Sequence, residues 1–182
     1  AWDIYNECGN NNRGAKSLYL LEKGFEWARA EGCKQPLTAG LWAAENGAAV
    51  RDAYFNDLKA LELSDVITYH QYSDAKNSER LAEELSKLGY PILCTEWLAR
   101  VFFDSYIETV LPMFERDKIG SFHWGLVNGK TQTHIPWNWD KSRGEPKVWF
   151  HDVLRADGTA YKEGEMLLVK QISERNSHNL GG

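Results

Sequence analysis

Residues 65–97, DVITYHQYSDAKNSERLAEELSKLGYPILCTEW, decide the fold. Residues 65–72 (DVITYHQY) are rich in β-branched and aromatic side chains, which fit a pleated, half-buried surface, and they read as a strand. Residues 78–88 predict a charged amphipathic helix that Gly89 closes. Residues 91–97 (PILCTEW) are a short apolar run bounded by turn signals, the pattern of a buried strand. Strand, helix and strand in such a short span require a helical crossover between parallel strands.

The same unit recurs on both sides. Residues 2–7 alternate apolar and polar and run into the turn cluster Asn6-Glu7-Cys8-Gly9-Asn10-Asn11-Asn12. Leu18, Leu21, Phe25 and Ala28 fall at helical spacing within residues 17–31, and Gly32 stops that helix. A strand is predicted over 38–42, a helix over 48–61, a helix over 105–114 with Pro112 near its end, and a strand over 119–127. Terminal helices are predicted over 146–154 and 163–173. The class is therefore α/β, read as a single domain over 1–182. Five strands against the eight of a full barrel, which needs about 250 residues, make the expectation a partial (β/α) TIM-type barrel. The chain opens on a strand, as a segment of a larger protein would.

Composition removes several function classes. Lys and Arg number 21 against 26 Asp and Glu, a net charge of −5, so the positive field that a phosphate backbone demands is missing and no nucleic-acid partner is expected. No stretch approaches the roughly 18 consecutive apolar residues of a membrane span, so no membrane association is expected either. Cys8, Cys33 and Cys94 form neither a disulfide framework nor a CxxC zinc site. The histidines at 70, 123, 134 and 151 lack the spacing of a zinc helix, and no metal is proposed. Phosphate-cradling glycine loops and a G-x-S-x-G elbow are absent, so no cofactor and no serine nucleophile are expected. Eight Trp, eight Tyr and seven Phe, several beside Asn, Glu, His or Asp, suit sugars, whose C–H faces stack on rings while their hydroxyls seek polar partners.

In a parallel β/α barrel the chemistry lies at the C-terminal ends of the strands. Those ends carry Asn6-Glu7, Trp42, His70-Gln71-Tyr72, Glu96-Trp97 and His123-Trp124. Two glutamates on one rim are what glycoside hydrolysis needs, one carboxyl protonated for the leaving oxygen and one ionised. Each glutamate taken alone also fits a helix cap or a solvated loop. Trp137 and Trp139, in the loop Pro136–Asp140 after the last strand, are the better candidates for sugar subsites, with Trp42 and Trp97 as others.

The segments WDIYNE, ITYHQY, PILCTEW, GSFHWGLVNGKTQT and VWFHDVLRADGTAY resemble the second half of a clan A glycoside hydrolase barrel, nearest to family 5-like cellulases and xylanases. The resemblance implies that Glu7 is the general acid/base, Asn6 the partner of the 2-hydroxyl, Glu96 the nucleophile, Tyr72 of the H-x-Y pattern beginning at His70 the residue that steadies it, and Trp124 the floor of the −1 sugar. It implies a retaining mechanism on plant-type poly- or oligosaccharides, with the carboxyls about 5 to 5.5 Å apart, and an extracellular or periplasmic location. Cys8 stands where the family has Pro, Trp97 follows the nucleophile position, and the first three strands of the barrel are missing. Open strand edges call for a partner, either a second copy in a homodimer or a complementing N-terminal half-barrel. The alternative from another class is a catalytically silent half-barrel that binds carbohydrate or self-associates as a scaffold.

Overall fold

Among the described residues five short strands alternate with helices: β1 (Trp2–Asn6), β2 (Leu37–Gly40), β3 (Ile67–His70), β4 (Ile92–Glu96) and β5 (Gly120–Ser121). The helices are α1 (Leu18–Ala30), α2 (Arg51–Leu63), α3 (Ala75–Ser86), the irregular turn α4 (Arg100–Phe103), α5 (Ile107–Arg116) and α6 (Glu163–Asn179). The computed structural model describes residues 1–43 and 51–179. The fold is α/β, with β1 and β2 in one parallel sheet and β3, β4 and β5, in that order, in another. Residues 48–50 of the helix expected over 48–61 lie outside the described residues.

By its internal contacts the chain forms two compact units, 1–71 with 80–95, and 72–79 with 96–182. In the first, Trp2 pairs with Leu37, Asp3 with Thr38 and Asn6 with Gly40. A parallel bridge between Leu41 and Tyr69 continues this pairing to β3, with the Leu41 amide on the Thr68 carbonyl at 3.0 Å and the His70 amide on the Leu41 carbonyl at 2.8 Å. All four residues of β2 and of β3 are buried, as strands between helices and neighbours must be. The buried hydroxyls of Thr38 and Thr68 on these strands satisfy each other in a hydrogen bond of 2.8 Å. Leu21 and Phe25 of α1 close the core, and Gly24 lets that helix approach: a Cβ there would meet Ile4 at 2.7 Å.

The second unit is held differently. Residues 146–154 are not a helix, which corrects the sequence expectation. Phe150, His151, Asp152 and Val153 are all buried, so a helix here would have no face for water. Their backbone groups bond far along the chain: the Phe150 amide to the His134 carbonyl at 2.8 Å, and the Val153 and Leu154 amides to the Leu126 carbonyl. The carbonyls of Trp149, Phe150 and Asp152 accept from the buried Arg100 guanidinium at 3.2–3.4 Å. Arg100 also makes a two-pronged ion pair with the buried Glu165 of α6, at 2.9 and 2.5 Å. Burial pushes the Glu165 carboxyl up, but Arg100 and Lys162 outweigh it and hold the group below its ordinary value.

The strand expected over 119–127 is shortened to Gly120–Ser121, because the chain then leaves the ladder: the Trp124 amide bonds the Trp97 carbonyl, Gly125 turns at φ 78°, and Val127 bridges Leu154. Gly158, at φ 85°, turns residues 154–160 into an antiparallel return. The final helix runs longer than the expected 163–173, to Asn179.

Replacing Arg100 by Met strands a buried carboxylate and three carbonyls, and denaturant unfolding is expected to show a loss of about 3–5 kcal/mol. Adding Glu165→Leu to that variant removes the stranded charge, and the double variant is expected to be more stable than Arg100→Met alone.

Candidate active site

Glu7 follows the last residue of β1, and its backbone lies at φ 48°, in the left-handed region that non-glycine residues rarely occupy. Such strain persists only where surrounding contacts over-determine it. Among the described residues two side chains hold the carboxylate. Nδ1 of His70, the last residue of β3, lies 2.7 Å from Glu7 Oε1, and the Asn10 side-chain amide donates to Oε2. The His70 side chain is 3% exposed and that of Glu7 17%, so this pair is largely shielded from water. Burial pushes the Glu7 carboxyl up, but the hydrogen bond and charge of His70, with help from Asn10, outweigh it and hold the carboxyl below its ordinary value.

Gly40, at the end of β2, makes room for His70. A Cβ at that position would stand 2.7 Å from His70 Nε2. The turn that presents Glu7 is itself braced: the Trp42 indole N–H donates to the Cys8 carbonyl at 2.9 Å, and the buried Cys8 thiol reaches the Ser17 hydroxyl at 3.3 Å. Burial pushes that thiol up, away from the reactive thiolate. Asn6 ends β1 in an exposed position, in register with Gly40.

In the second unit Glu96 ends β4 and accepts a hydrogen bond from the Tyr72 hydroxyl at 2.7 Å. Tyr72 is mostly buried, edge-on to Trp137 with ring centroids 4.9 Å apart. Trp137 is 47% exposed and Trp124 45%, so both keep surface for a ligand. Trp97 does not: it is 2% exposed, packed on Phe114 and His123, and the expectation that it forms a sugar subsite is corrected. Trp139 lies elsewhere in the unit, beside a groove of about 440 Å³ shared with Phe102 and Arg143, whose guanidinium already covers the indole at 4.7 Å.

Each expected site residue thus has a definite setting. His70 is with Glu7, Tyr72 and Trp137 are with Glu96, while neither carboxylate lines the groove at Trp139. Asn10, Gly40 and His151 are parts that sequence reasoning did not single out. Asn10 was visible only as one of three turn asparagines, and Gly40 gave no pattern at all. Compared with known proteins, the sequence matches no family model and no curated protein.

Gly40→Ala is expected to displace His70 and destabilise the protein by about 1–3 kcal/mol, an overpacking cost. Crystallography of that variant would show the His70–Glu7 contact lengthened. Because the Glu7 carboxyl is depressed on folding, its contribution is present above the unfolded carboxyl value of about 4.3 and is lost as pH falls through the lower folded value. Unfolding free energies measured between pH 6 and acid are therefore expected to fall less steeply in Glu7→Gln than in the unaltered chain.

Proposed function

We propose that this chain is the C-terminal half of a β/α glycoside hydrolase barrel and acts as a retaining β-glycosidase on plant-type poly- or oligosaccharides, with Glu7 as acid/base and Glu96 as nucleophile. The observation that carries the reading is the pairing at the end of β3: His70 holds one carboxylate and Tyr72, two residues on, donates to the other. Parallel strands in the sequential orders β1-β2 and β3-β4-β5, with a bridge from Leu41 to Tyr69, support a barrel-type winding. Asn6, Trp124 and Trp137 supply hydrogen bonding and rings for the sugar.

In this mechanism Glu96 attacks the anomeric carbon while Glu7 protonates the departing oxygen, and Glu7 then takes a proton from the water that cleaves the glycosyl-enzyme. The Tyr72 hydrogen bond suits a carboxylate that must stay ionised and aimed. Glu7 needs a proton at the first step, and its depressed carboxyl resists that in the resting chain. The same depressed carboxyl suits the second step, in which Glu7 must accept a proton. The open edges of the sheets are completed by a homodimer partner or a complementing N-terminal half-barrel, and the glycan substrate places the protein outside the cell or in the periplasm.

The depressed Glu7 carboxyl favours one other reading, a silent half-barrel that binds carbohydrate without cleaving it. Hydrolysis of aryl β-glycosides, followed together with solution mass by light scattering, separates the two. The hydrolase reading predicts an associated species whose turnover falls to background in Glu96→Ala. In Glu7→Ala turnover is expected to fall about 100- to 10,000-fold on substrates with poor leaving groups, and far less on dinitrophenyl glycosides, which leave without a proton. An associated chain that binds oligosaccharide and never hydrolyses it would establish the silent reading.

A further inference from the structure

His151 stands among the aromatic residues around Glu96 and has no role in the mechanism above. Its Nδ1 bonds the Leu98 backbone carbonyl. A carbonyl only accepts, so Nδ1 carries the proton and Nε2 carries a lone pair. Burial, opposed by that hydrogen bond and reinforced by Arg100, pushes the imidazole down to about 4, so the ring is neutral at ordinary pH. The residue is 1% exposed, and Nε2 has no hydrogen-bond partner among the described residues. An acceptor buried without a donor is destabilising, a cost that a packing residue such as Phe would avoid.

The residues around this ring are those assigned to the sugar. Tyr72, which donates to Glu96, has its ring 5.5 Å away, and Trp137 has its ring at 5.3 Å. Gly125, the neighbour of Trp124, fits against it so closely that a Cβ there would meet the His151 Cβ at 2.6 Å. The Leu98 carbonyl that fixes the tautomer belongs to a residue at φ 78°, two positions after Glu96. The ring is therefore locked in one tautomer and one orientation next to Tyr72, the donor to the nucleophile candidate, with its single unused valence an acceptor.

We propose that His151 is a substrate-binding residue, whose Nε2 accepts a hydrogen bond from one hydroxyl of the glycoside when the half-exposed Trp137 indole yields to the sugar ring. The assignment rests on the hydrolase reading and adds the group that reads a hydroxyl. It makes His151 a specificity residue: a sugar with a hydrogen in place of that hydroxyl leaves the lone pair buried and unpaired.

The test is a cycle of protein and ligand changes. Hydrolysis of 4-nitrophenyl β-cellobioside and of its monodeoxy analogues, each lacking one glycone hydroxyl, is measured for the unaltered chain and for His151→Phe and His151→Gln, in the associated form. The unaltered chain is expected to lose at least tenfold in kcat/KM at one hydroxyl position. In His151→Phe that discrimination is expected to vanish, with circular dichroism unchanged. His151→Gln, whose amide oxygen accepts, is expected to restore part of it. Equal discrimination in the unaltered chain and His151→Phe would overturn the assignment while leaving the hydrolase reading intact. Absence of any glycoside turnover in the unaltered chain would overturn both, and a uniform loss over all analogues in His151→Phe would reduce His151 to packing.

Discussion

The end of β3 is the point on which the rest depends. His70 closes the strand and bonds Glu7, and Tyr72, two residues further, bonds Glu96. In each unit one carboxylate is thereby held by a defined side-chain partner. The cost is carried by the surroundings: Gly40 gives up its Cβ to leave room for the imidazole, and Glu7 takes a backbone conformation that its own side chain disfavours.

The second unit meets a different constraint. Its segment 150–153 is buried without being helix or sheet, so its backbone groups have to be satisfied one by one. Arg100 meets three carbonyls and the Glu165 carboxylate at once, which a planar guanidinium with five donors can do and a lysine cannot. That network positions Phe150 and His151, and these in turn pack on Trp137. The aromatic surroundings of Glu96 are thus set by a buried ion pair with no chemistry of its own.

These two constraints differ in how legible they are. Period-two and helical patterns exposed β1 through β4 and the helices between them, because those elements have one face in the core and express it in the sequence. The helix expected over 146–154 failed because apolar density there comes from burial on all sides, and no periodicity distinguishes that from a helix face. The carboxylates were visible as polar residues at strand ends. His151 was not, since a buried histidine with one satisfied nitrogen looks the same in sequence as one with two. Likewise Trp97 looked like its neighbours on the rim and lies wholly in the core. Gly40 matters through a contact thirty residues along the chain, beyond any local signal.

The proposed mechanism turns on a covalent bond from Glu96 to the sugar. The direct measurement is mass spectrometry of the protein after exposure to a 2-deoxy-2-fluoro aryl β-glycoside, whose fluorine slows both formation and breakdown of the glycosyl-enzyme while its good leaving group restores formation, so that the intermediate accumulates. The account predicts one added glycosyl mass per active chain, localised by peptide fragmentation to Glu96 and missing in Glu96→Ala. A chain that releases the aryl group with no covalent adduct, or with the adduct on another residue, would contradict it.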